Sequence, residues 1–232
     1  MINPARLHSD QSRLERETAM LLATVESLSE DELAAPSLCE RWSRADVVAH
    51  LASNARALVR MVDWAVTGEE QAVYASPEAR AEDIARIAAM PRKELIAELV
   101  EASRYFAEQS ERLTGEIRAE EVRIGTMPIP ATSLIAVRTS EVVVHHADLD
   151  TAWTIEEADP DSLLNAVEAA VRAMRVRNAP GLTLVTEERD EWVIGDGALR
   201  VESDREGLLA WLARGETAGV EAGGPLPELP AW

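Results

Sequence analysis

The chain has 232 residues, 47% of them hydrophobic, so it can bury a sizeable core as one large domain or as a domain with a smaller companion. Its 42 acidic and 23 basic residues give a net charge of −19, which repels nucleic acid and anionic membranes, and no basic cluster offsets that charge. Cys39 is the only cysteine, which excludes an intrachain disulfide, and neither a signal peptide nor an apolar segment of spanning length is recognisable. These features predict a cytoplasmic globular protein that binds neither nucleic acid nor membrane.

Amphipathic helices dominate the first two thirds of the chain, where apolar residues recur at helical spacing. Ser43 and Asp46 form a capping box at the start of one helix, which Gly68 ends, and Pro91 opens another. Two prolines keep residues 123–130 extended. The four predicted long helices cover residues 10–28, 43–68, 91–113 and 132–149, and a short helix covers 79–88. Four such helices are typical of a helical bundle.

The composition changes near residue 155, beyond which the pattern predicts a smaller unit of short strands and helices. We therefore predict an α+β fold, with a helical-bundle domain at residues 1–155 and a smaller α+β domain at residues 156–232. The chain contains no glycine-rich phosphate loop, nucleophile elbow or CxxC pair, and these absences exclude several common enzyme classes.

The smaller domain is expected to combine a sheet with flanking helices. Its predicted elements are a helix after Asp159, strands at residues 182–186, 191–194 and 198–202, and a helix at residues 207–213. The last two strands are expected to form a hairpin across residues 195–197. Ser203 and Glu206 form a capping-box pattern before the last helix, and we expect Trp232 to pack at the end of a proline-rich tail.

An unusual seam runs along the helix predicted at residues 132–149. Its members step by four, three, four and three residues, the spacing of a buried face: Leu134, Arg138, Glu141, His145 and Asp148. Four of these five side chains are ionisable, and burying unpaired charges costs several kcal/mol each, whereas a divalent cation satisfies a carboxylate and an imidazole together. The alternative is that Val137 and Val144 are buried and the charged residues face solvent.

Glu141 and His145 lie one helical turn apart, so both side chains can reach one cation. His50 lies on the apolar stripe of the second long helix and would complete a His2Glu set with an open position, the pattern of a catalytic zinc or another divalent ion. A core histidine bonded to a neighbouring carbonyl would give the same pattern. Asn54, one turn after His50, is expected to orient the ligands or bind water, as is Asp148.

Three other reactive residues also have simpler explanations. His146 lies about 100° around the helix from His145 and is expected to flank the site. Cys39 has no assigned acid–base partner, which favours a semi-buried apolar role. Arg80 lies near a predicted helix N-terminus, where the helix dipole disfavours a cation, so it points either to solvent or towards an anion.

Further motifs are distributed along nearly the full length of the chain: Trp42-Ser43, Val48-Ala49-His50-Leu51 with Asn54, Trp64-Ala65, Thr67-Gly68-Glu69-Glu70, Tyr74 through Arg80, Arg138 through Leu149, Arg214-Gly215, Leu226-Pro227 and Pro230-Ala231-Trp232. With these motifs the chain resembles the mycothiol-dependent maleylpyruvate isomerases, within the DinB-like group of metal-binding four-helix bundles. The set of His50, Glu141 and His145 is shared by DinB-like proteins of differing activity. The segment that ends at Arg80 and the tail that begins at Arg214 are typical of a smaller group of these proteins.

The resemblance implies a metal centre of zinc or another divalent ion, held by the His2Glu set, and mycothiol as the cofactor. The thiolate would add to the cis double bond of maleylpyruvate, permit rotation and leave fumarylpyruvate, as in gentisate-type aromatic degradation. Arg80 and Arg214 would act in catalysis by binding carboxylates, the smaller domain would contribute Arg214 to the site, and Arg214 and Asn54 would bind the cofactor. We expect a monomer or weak dimer whose partners are a small carboxylate substrate and a low-molecular-weight thiol.

Two other functions fit the same residues. One is a zinc- and mycothiol-dependent S-transferase acting on another electrophile, which would consume thiol, whereas an isomerase returns it. The other is a non-catalytic module that senses a metal or a thiol. An open coordination position together with two candidate arginines favours catalysis over sensing.

Overall fold

The structure, a computed structural model, describes residues 4–230, and its contacts divide the chain into two compact units between Glu157 and Ala158. The first unit contains α1 (Pro4–Ser27), α2 (Glu30–Ala34), α3 (Arg44–Thr67), α4 (Pro77–Ala88), α5 (Arg92–Ser110), β1 (Glu121–Ile124), β2 (Met127–Pro130) and α6 (Leu134–Asp148). The second contains α7 (Pro160–Val176), β3 (Leu182–Thr186), β4 (Glu191–Ile194), β5 (Leu199–Ser203), α8 (Arg205–Arg214) and β6 (Glu221–Ala222). The fold is α+β, as the sequence predicts. Within the described residues, no helix has the length and apolar character needed to cross a membrane.

The four long helices α1, α3, α5 and α6 pack into the predicted bundle. Their apolar stripes meet in one core, in which Leu21, Leu51, Leu99 and Phe106 are fully buried. Burying a side chain of this size stabilises a fold by about 1.5–3 kcal/mol. The stripes therefore fix which face of each helix turns inwards, and that orientation places the polar residues of α3 and α6.

Helix α3 begins and ends where the sequence predicts. The Ser43 hydroxyl accepts the backbone N–H of Asp46 at 3.2 Å, and the Asp46 carboxylate accepts the backbone N–H of Ser43 at 2.8 Å, which completes the capping box. Gly68 ends the helix with a left-handed backbone at φ +77°, a conformation that glycine adopts without strain. These two signals set the helix bounds.

The other elements of the first unit differ from prediction in their ends and in one pairing. Helix α1 begins earlier, at Pro4, and α6 begins at Leu134 after a short 3₁₀ turn. Pro91 precedes α5 as its N-cap residue. The segment at 123–130, predicted only as extended, is the outer part of a β1–β2 hairpin that turns at Gly125.

The sheet of the second unit has the strand order β4-β3-β5-β6, with β3 parallel to β5 and antiparallel to β4. The predicted hairpin between β4 and β5 is therefore wrong. Leu182 of β3 pairs with Ile194 of β4 on one side and with Leu199 of β5 on the other, so β3 separates the two strands. A pattern of alternating apolar residues reports which face a strand buries and not which strand it pairs with, so the short turn at 195–197 was misleading.

The capping box predicted at Ser203 is also wrong. Asp204 is the N-cap of α8, and its carboxylate accepts the backbone N–H of Gly207 at 2.7 Å. Ser203 belongs to the last position of β5, and its hydroxyl donates to the backbone oxygen of Gly219. Helix α8 ends at Arg214 with Gly215 in the left-handed conformation, as predicted. The predicted packing of Trp232 lies outside the described residues.

Candidate metal centre

Helices α3 and α6 pack against each other and turn His50, Glu141 and His145 towards one point. Both histidines are buried, whereas 24% of the Glu141 side chain is exposed. The predicted seam of α6 does face inwards, because Arg138 and Asp148 are also buried. The alternative in which the charged residues of α6 face solvent is therefore wrong.

The geometry of these three side chains fits a single cation. Glu141 Oε2 lies 3.1 Å from His50 Nε2 and 3.7 Å from His145 Nε2. Nitrogen and oxygen ligands that bind a tetrahedral zinc at 2.0–2.1 Å are about 3.3 Å apart, so small movements of these side chains would accommodate the ion. Two imidazoles and one carboxylate are also a donor set that zinc accepts, with one coordination position left open for another ligand.

The ionisation states of this cluster suit metal binding. Burial opposes ionisation of Glu141, but the hydrogen bond from His50 and the charges of His145 and Arg138 lower its pKa below the ordinary value. Burial, followed by the repulsion of His145, lowers the pKa of His50, although Glu141 opposes this shift. At neutral pH the cluster therefore offers an ionised carboxylate beside a neutral imidazole.

A second carboxylate supports His145 from behind. Asp148 Oδ2 lies 2.7 Å from His145 Nδ1 and accepts a hydrogen bond from its N–H, so the lone pair of His145 is on Nε2, the atom nearest Glu141. The Cys39 thiol donates to the same Asp148 oxygen at 3.2 Å, and the backbone N–H of Leu38 donates to the Asp148 carbonyl. Asp148 therefore fixes the orientation of His145, and the role of His145 as a metal ligand stays a prediction.

Arg80 and Trp42 contact His50, and Tyr74 lies against Arg80. Arg80 Nη2 lies 3.2 Å from His50 Nδ1, and the guanidinium lies 5.9 Å from the ring centre of Trp42 and 5.7 Å from that of Tyr74. The ring of Trp42 also lies 5.4 Å from that of His50. Of the two explanations for Arg80, full solvation is wrong, because its side chain is half-buried against these groups.

Arg138 lies one helical turn from Glu141 on α6, and Asn54 lies one turn from His50 on α3. Arg138 Nη1 donates to Asn54 Oδ1 at 2.8 Å, while Nη2 has no hydrogen-bond partner within the described chain. Arg138 is only 1% exposed, and burial lowers its pKa to about 10, although the nearby charge of Glu141 opposes this shift. Arg138 therefore remains a buried cation next to the cluster, and Asn54 is its hydrogen-bond partner.

The family can now be identified from a comparison of sequences. The profile described as "Mycothiol maleylpyruvate isomerase N-terminal domain" matches residues 14–150, more than half of the chain. The chain belongs to the mycothiol maleylpyruvate isomerase family. The resemblance on which the sequence reading relied is thereby confirmed.

Two solved structures share the fold of this family member. One is described as the mycothiol-dependent maleylpyruvate isomerase and is 27% identical to this chain; the other is a histidine-to-alanine variant described in the same way and is 26% identical. Each match has a TM-score of 0.84 and covers 100% of this chain and 100% of the other. No curated protein matches the sequence in a separate comparison.

Two further residues singled out from the sequence are His146, which turns away from this cluster of side chains, and Arg214, which belongs to the second unit. His146 turns towards α1, where its Nε2 lies 2.7 Å from the Thr24 hydroxyl, and its ring stacks on Trp153 with centroids 3.8 Å apart. Arg214 is at the last turn of α8 in the second unit, where its Nη1 donates to the backbone oxygen of Ala213. The contacts of His146 therefore belong to the packing of α6 against α1.

The environment of Cys39 was not predicted from the sequence. The prediction of a semi-buried thiol is correct, but the residue has ionisable neighbours, Asp148 and His145, the latter with its Nδ1 at 3.9 Å from the sulfur. No spacing in the sequence indicates this contact, because Cys39 lies in a loop more than a hundred residues before its partners. A stripe such as the one on α6 predicts which residues share a face, and it gives no information about which loop covers that face.

Proposed function

We propose that the protein is a metal- and mycothiol-dependent isomerase that converts maleylpyruvate to fumarylpyruvate. The observation that carries the proposal is the set of His50, Glu141 and His145, which combines three suitable ligand atoms with an open position in a chain of this family. Two structures of similar fold that are described as mycothiol-dependent maleylpyruvate isomerase support the same reading. A thiol cofactor also favours the reducing cytoplasm as the place of action.

The proposed metal ligands are His50, Glu141 and His145, with zinc or another divalent ion as the metal. When bound, the ion would lower the pKa of the mycothiol thiol, and the resulting thiolate is the nucleophile that permits cis–trans conversion. Asp148 holds the proton of His145 on Nδ1 and keeps Nε2 available as a ligand atom. The ionised carboxylate of Glu141 would balance part of the charge of such a cation.

The remaining proposed roles belong to Arg80, Arg214 and Asn54. The net charge of −19 repels anionic substrates, so a dicarboxylate needs local cations, and a guanidinium binds a carboxylate through two parallel hydrogen bonds. Arg80 lies beside the proposed ligand His50, which supports a role in binding a substrate carboxylate. The roles of Arg214 in binding carboxylate or thiol, and of Asn54 in binding the cofactor, rest on the family resemblance.

The direct test is to incubate metal-loaded protein with maleylpyruvate, with and without mycothiol, and to follow the conversion of the cis to the trans isomer. We expect conversion only with mycothiol, full recovery of free thiol at the end of the reaction, and loss of activity in His50→Ala. The matched control is His8→Ala, because His8 is an exposed histidine of α1 and this variant should keep its activity. Isomerisation that does not depend on thiol would contradict the proposal, and net consumption of thiol would identify an S-transferase instead.

A further inference from the structure

His50 lies between two neighbours of opposite charge. Its Nε2 faces the Glu141 carboxylate at 3.1 Å, and its Nδ1 faces the Arg80 guanidinium at 3.2 Å. The side chain is buried, so these two contacts account for both polar atoms of the ring. Each contact constrains where the ring carries its proton.

A guanidinium only donates hydrogen bonds, so His50 Nδ1 must accept the bond from Arg80. An ionised carboxylate only accepts, so Nε2 must carry the proton and donate it to Glu141. The network therefore assigns the Nε2–H tautomer to His50. In that tautomer Nε2 has no free lone pair, although it is the ring nitrogen next to the other two proposed ligand atoms.

The opposite holds for His145. Its Nδ1 faces the Asp148 carboxylate at 2.7 Å, so Nδ1 carries the proton and Nε2 keeps its lone pair. His145 is therefore ready to bind a cation in the conformation observed. His50 is not, because a metal on its Nε2 requires the proton to move to Nδ1, where it would point at a second donor, the Arg80 guanidinium.

We propose that Arg80 is a latch on His50, and that metal binding through His50 Nε2 and release of the Arg80 guanidinium are coupled. The released guanidinium then becomes available to a carboxylate of an anionic ligand, so cation and anion bind cooperatively. This inference rests on the metal centre of the proposed function and adds an order to it, in which the metal frees the arginine that binds the substrate. Arg80 acts on the metal through His50 and is a positioning residue in this step.

The surroundings of Arg80 permit such a movement. Its backbone belongs to the first turns of α4, where the Arg80 N–H donates to the Ser76 carbonyl at 3.1 Å, so the helix holds the main chain in place. The guanidinium is held by the rings of Trp42 and Tyr74, each at nearly 6 Å, and by His50. Ring contacts of this type are broad in direction, so rotation of the side chain can break the bond to His50 while a ring contact is kept.

Reciprocity makes the coupling measurable. If a metal on His50 frees Arg80 for a carboxylate, then a carboxylate that holds Arg80 must strengthen metal binding by the same factor. Couplings between two sites of a protein are commonly between fivefold and about 150-fold. We expect a factor of about ten, because the latch is a single hydrogen bond between a cation and a neutral ring.

The first experiment reads the tautomers directly by long-range ¹H–¹⁵N NMR of the histidine rings. The sequence contains only four histidines, so each signal can be assigned with single substitutions. We expect His50 to change from the Nε2–H form without metal to the Nδ1–H form with zinc, while His145 remains Nδ1–H throughout. A His50 ring that is already Nδ1–H in the metal-free protein would overturn the latch.

The second experiment measures zinc affinity by competition with a chromophoric chelator, with and without maleate as a simple dicarboxylate probe. Arg80→Met should bind zinc about tenfold more tightly than the unchanged protein, and maleate should tighten zinc binding about tenfold in the unchanged protein only. Arg60→Met is the matched control, because Arg60 lies 5.8 Å from the ring centre of Tyr74 but bonds to the carbonyl of Val73. Removing the charge of Arg60 should leave zinc affinity within about twofold.

The outcomes separate this inference from the proposed function. If zinc binds and thiol-dependent isomerisation occurs, but Arg80→Met and the unchanged protein bind zinc equally and show no effect of maleate, the latch is wrong and the function stands. Equal tightening in Arg80→Met and Arg60→Met would reduce the effect to general charge repulsion and would also overturn the latch. Absence of zinc binding in the unchanged protein would overturn both.

Discussion

His145 and His146 are neighbours in the sequence and are both buried on α6, yet their surroundings differ in chemistry. His145 lies between two carboxylates, with Glu141 near its Nε2 and Asp148 bonded to its Nδ1. His146 lies in an apolar environment, where its partners are the Thr24 hydroxyl and the stacked ring of Trp153. Burial alone therefore does not distinguish a proposed ligand from a structural histidine, whereas the charge of the neighbours does.

The apolar surroundings of His146 also change its affinity for protons. Burial lowers the pKa of His146 to about 4, and no carboxylate opposes that shift. His146 is therefore kept neutral by the fold and contributes to packing. His145 is held in one tautomer by Asp148, with Nε2 as its proposed ligand atom, so two adjacent histidines have different surroundings.

The largest effect that tests this contrast is the loss of metal from His145→Ala but not from His146→Ala. We expect His145→Ala to bind zinc at least about a hundredfold more weakly, because removing a ligand costs more than the 10–100-fold lost with a supporting residue. His146→Ala should keep its zinc affinity within about threefold while losing about 3 kcal/mol of unfolding free energy through the cavity it leaves. Chelator competition measures the first quantity and urea denaturation the second.

An equal loss of zinc affinity in both variants would contradict the different roles given to His145 and His146, since it would mean that His146 also acts on the metal centre. Circular dichroism at the temperature of the zinc measurement provides the control, because it shows whether each variant is folded when its affinity is read. A folded His146→Ala that lacks zinc affinity would therefore contradict the structural role given to His146.

The contrast between the two histidines could be predicted in part from the sequence. The spacing of Glu141, His145 and Asp148 at three- and four-residue steps indicates one buried face, because helical periodicity is a local property. The offset of His146 by one position removes it from that face for the same reason. The inward orientation of His50 could be predicted from the apolar stripe of its own helix. The capping signals at Ser43 and Gly68 predicted the bounds of that helix.

Non-local contacts could not be predicted in this way. The bond from Arg80 to His50, the bond from Cys39 to Asp148 and the stacking of His146 on Trp153 each depend on a loop or on a second element. The predicted hairpin in the second unit is wrong for the same reason. The local turn at 195–197 favours a hairpin, but β3 lies between β4 and β5 and pairs with both. Periodicity gives the face of an element, and tertiary packing gives its neighbours.

A smaller effect should come from the residue behind His145. Asp148→Asn removes the negative charge that holds the proton on His145 Nδ1, while it keeps the size of the side chain. We expect zinc affinity to fall by about 10–100-fold, the usual cost of losing such a partner. The control is Cys39→Ser, which preserves a donor to Asp148 and should change zinc affinity by less than about threefold; a larger effect of Cys39→Ser than of Asp148→Asn would show that the thiol itself supports the metal centre.

The smallest effect concerns the pH dependence contributed by His146. Its pKa is about 4 in the folded chain and about 6.5 when unfolded, so the unfolded state binds more protons between these values. The stabilisation is therefore complete above about pH 6.5 and is lost as the pH falls towards 4. At pH 5 the loss amounts to about 2 kcal/mol by this linkage.

The variant His146→Phe keeps a buried aromatic ring opposite Trp153 but cannot take up a proton. Its unfolding free energy should therefore fall less between pH 7.5 and pH 5 than that of the unchanged protein, with both measured by urea denaturation without metal. The lowered pKa of His50 acts in the same direction in both proteins and cancels in the difference. An identical pH dependence in the two proteins would mean that His146 accepts a proton in the folded state without penalty, and that the apolar setting distinguishing it from His145 is not what controls its ionisation.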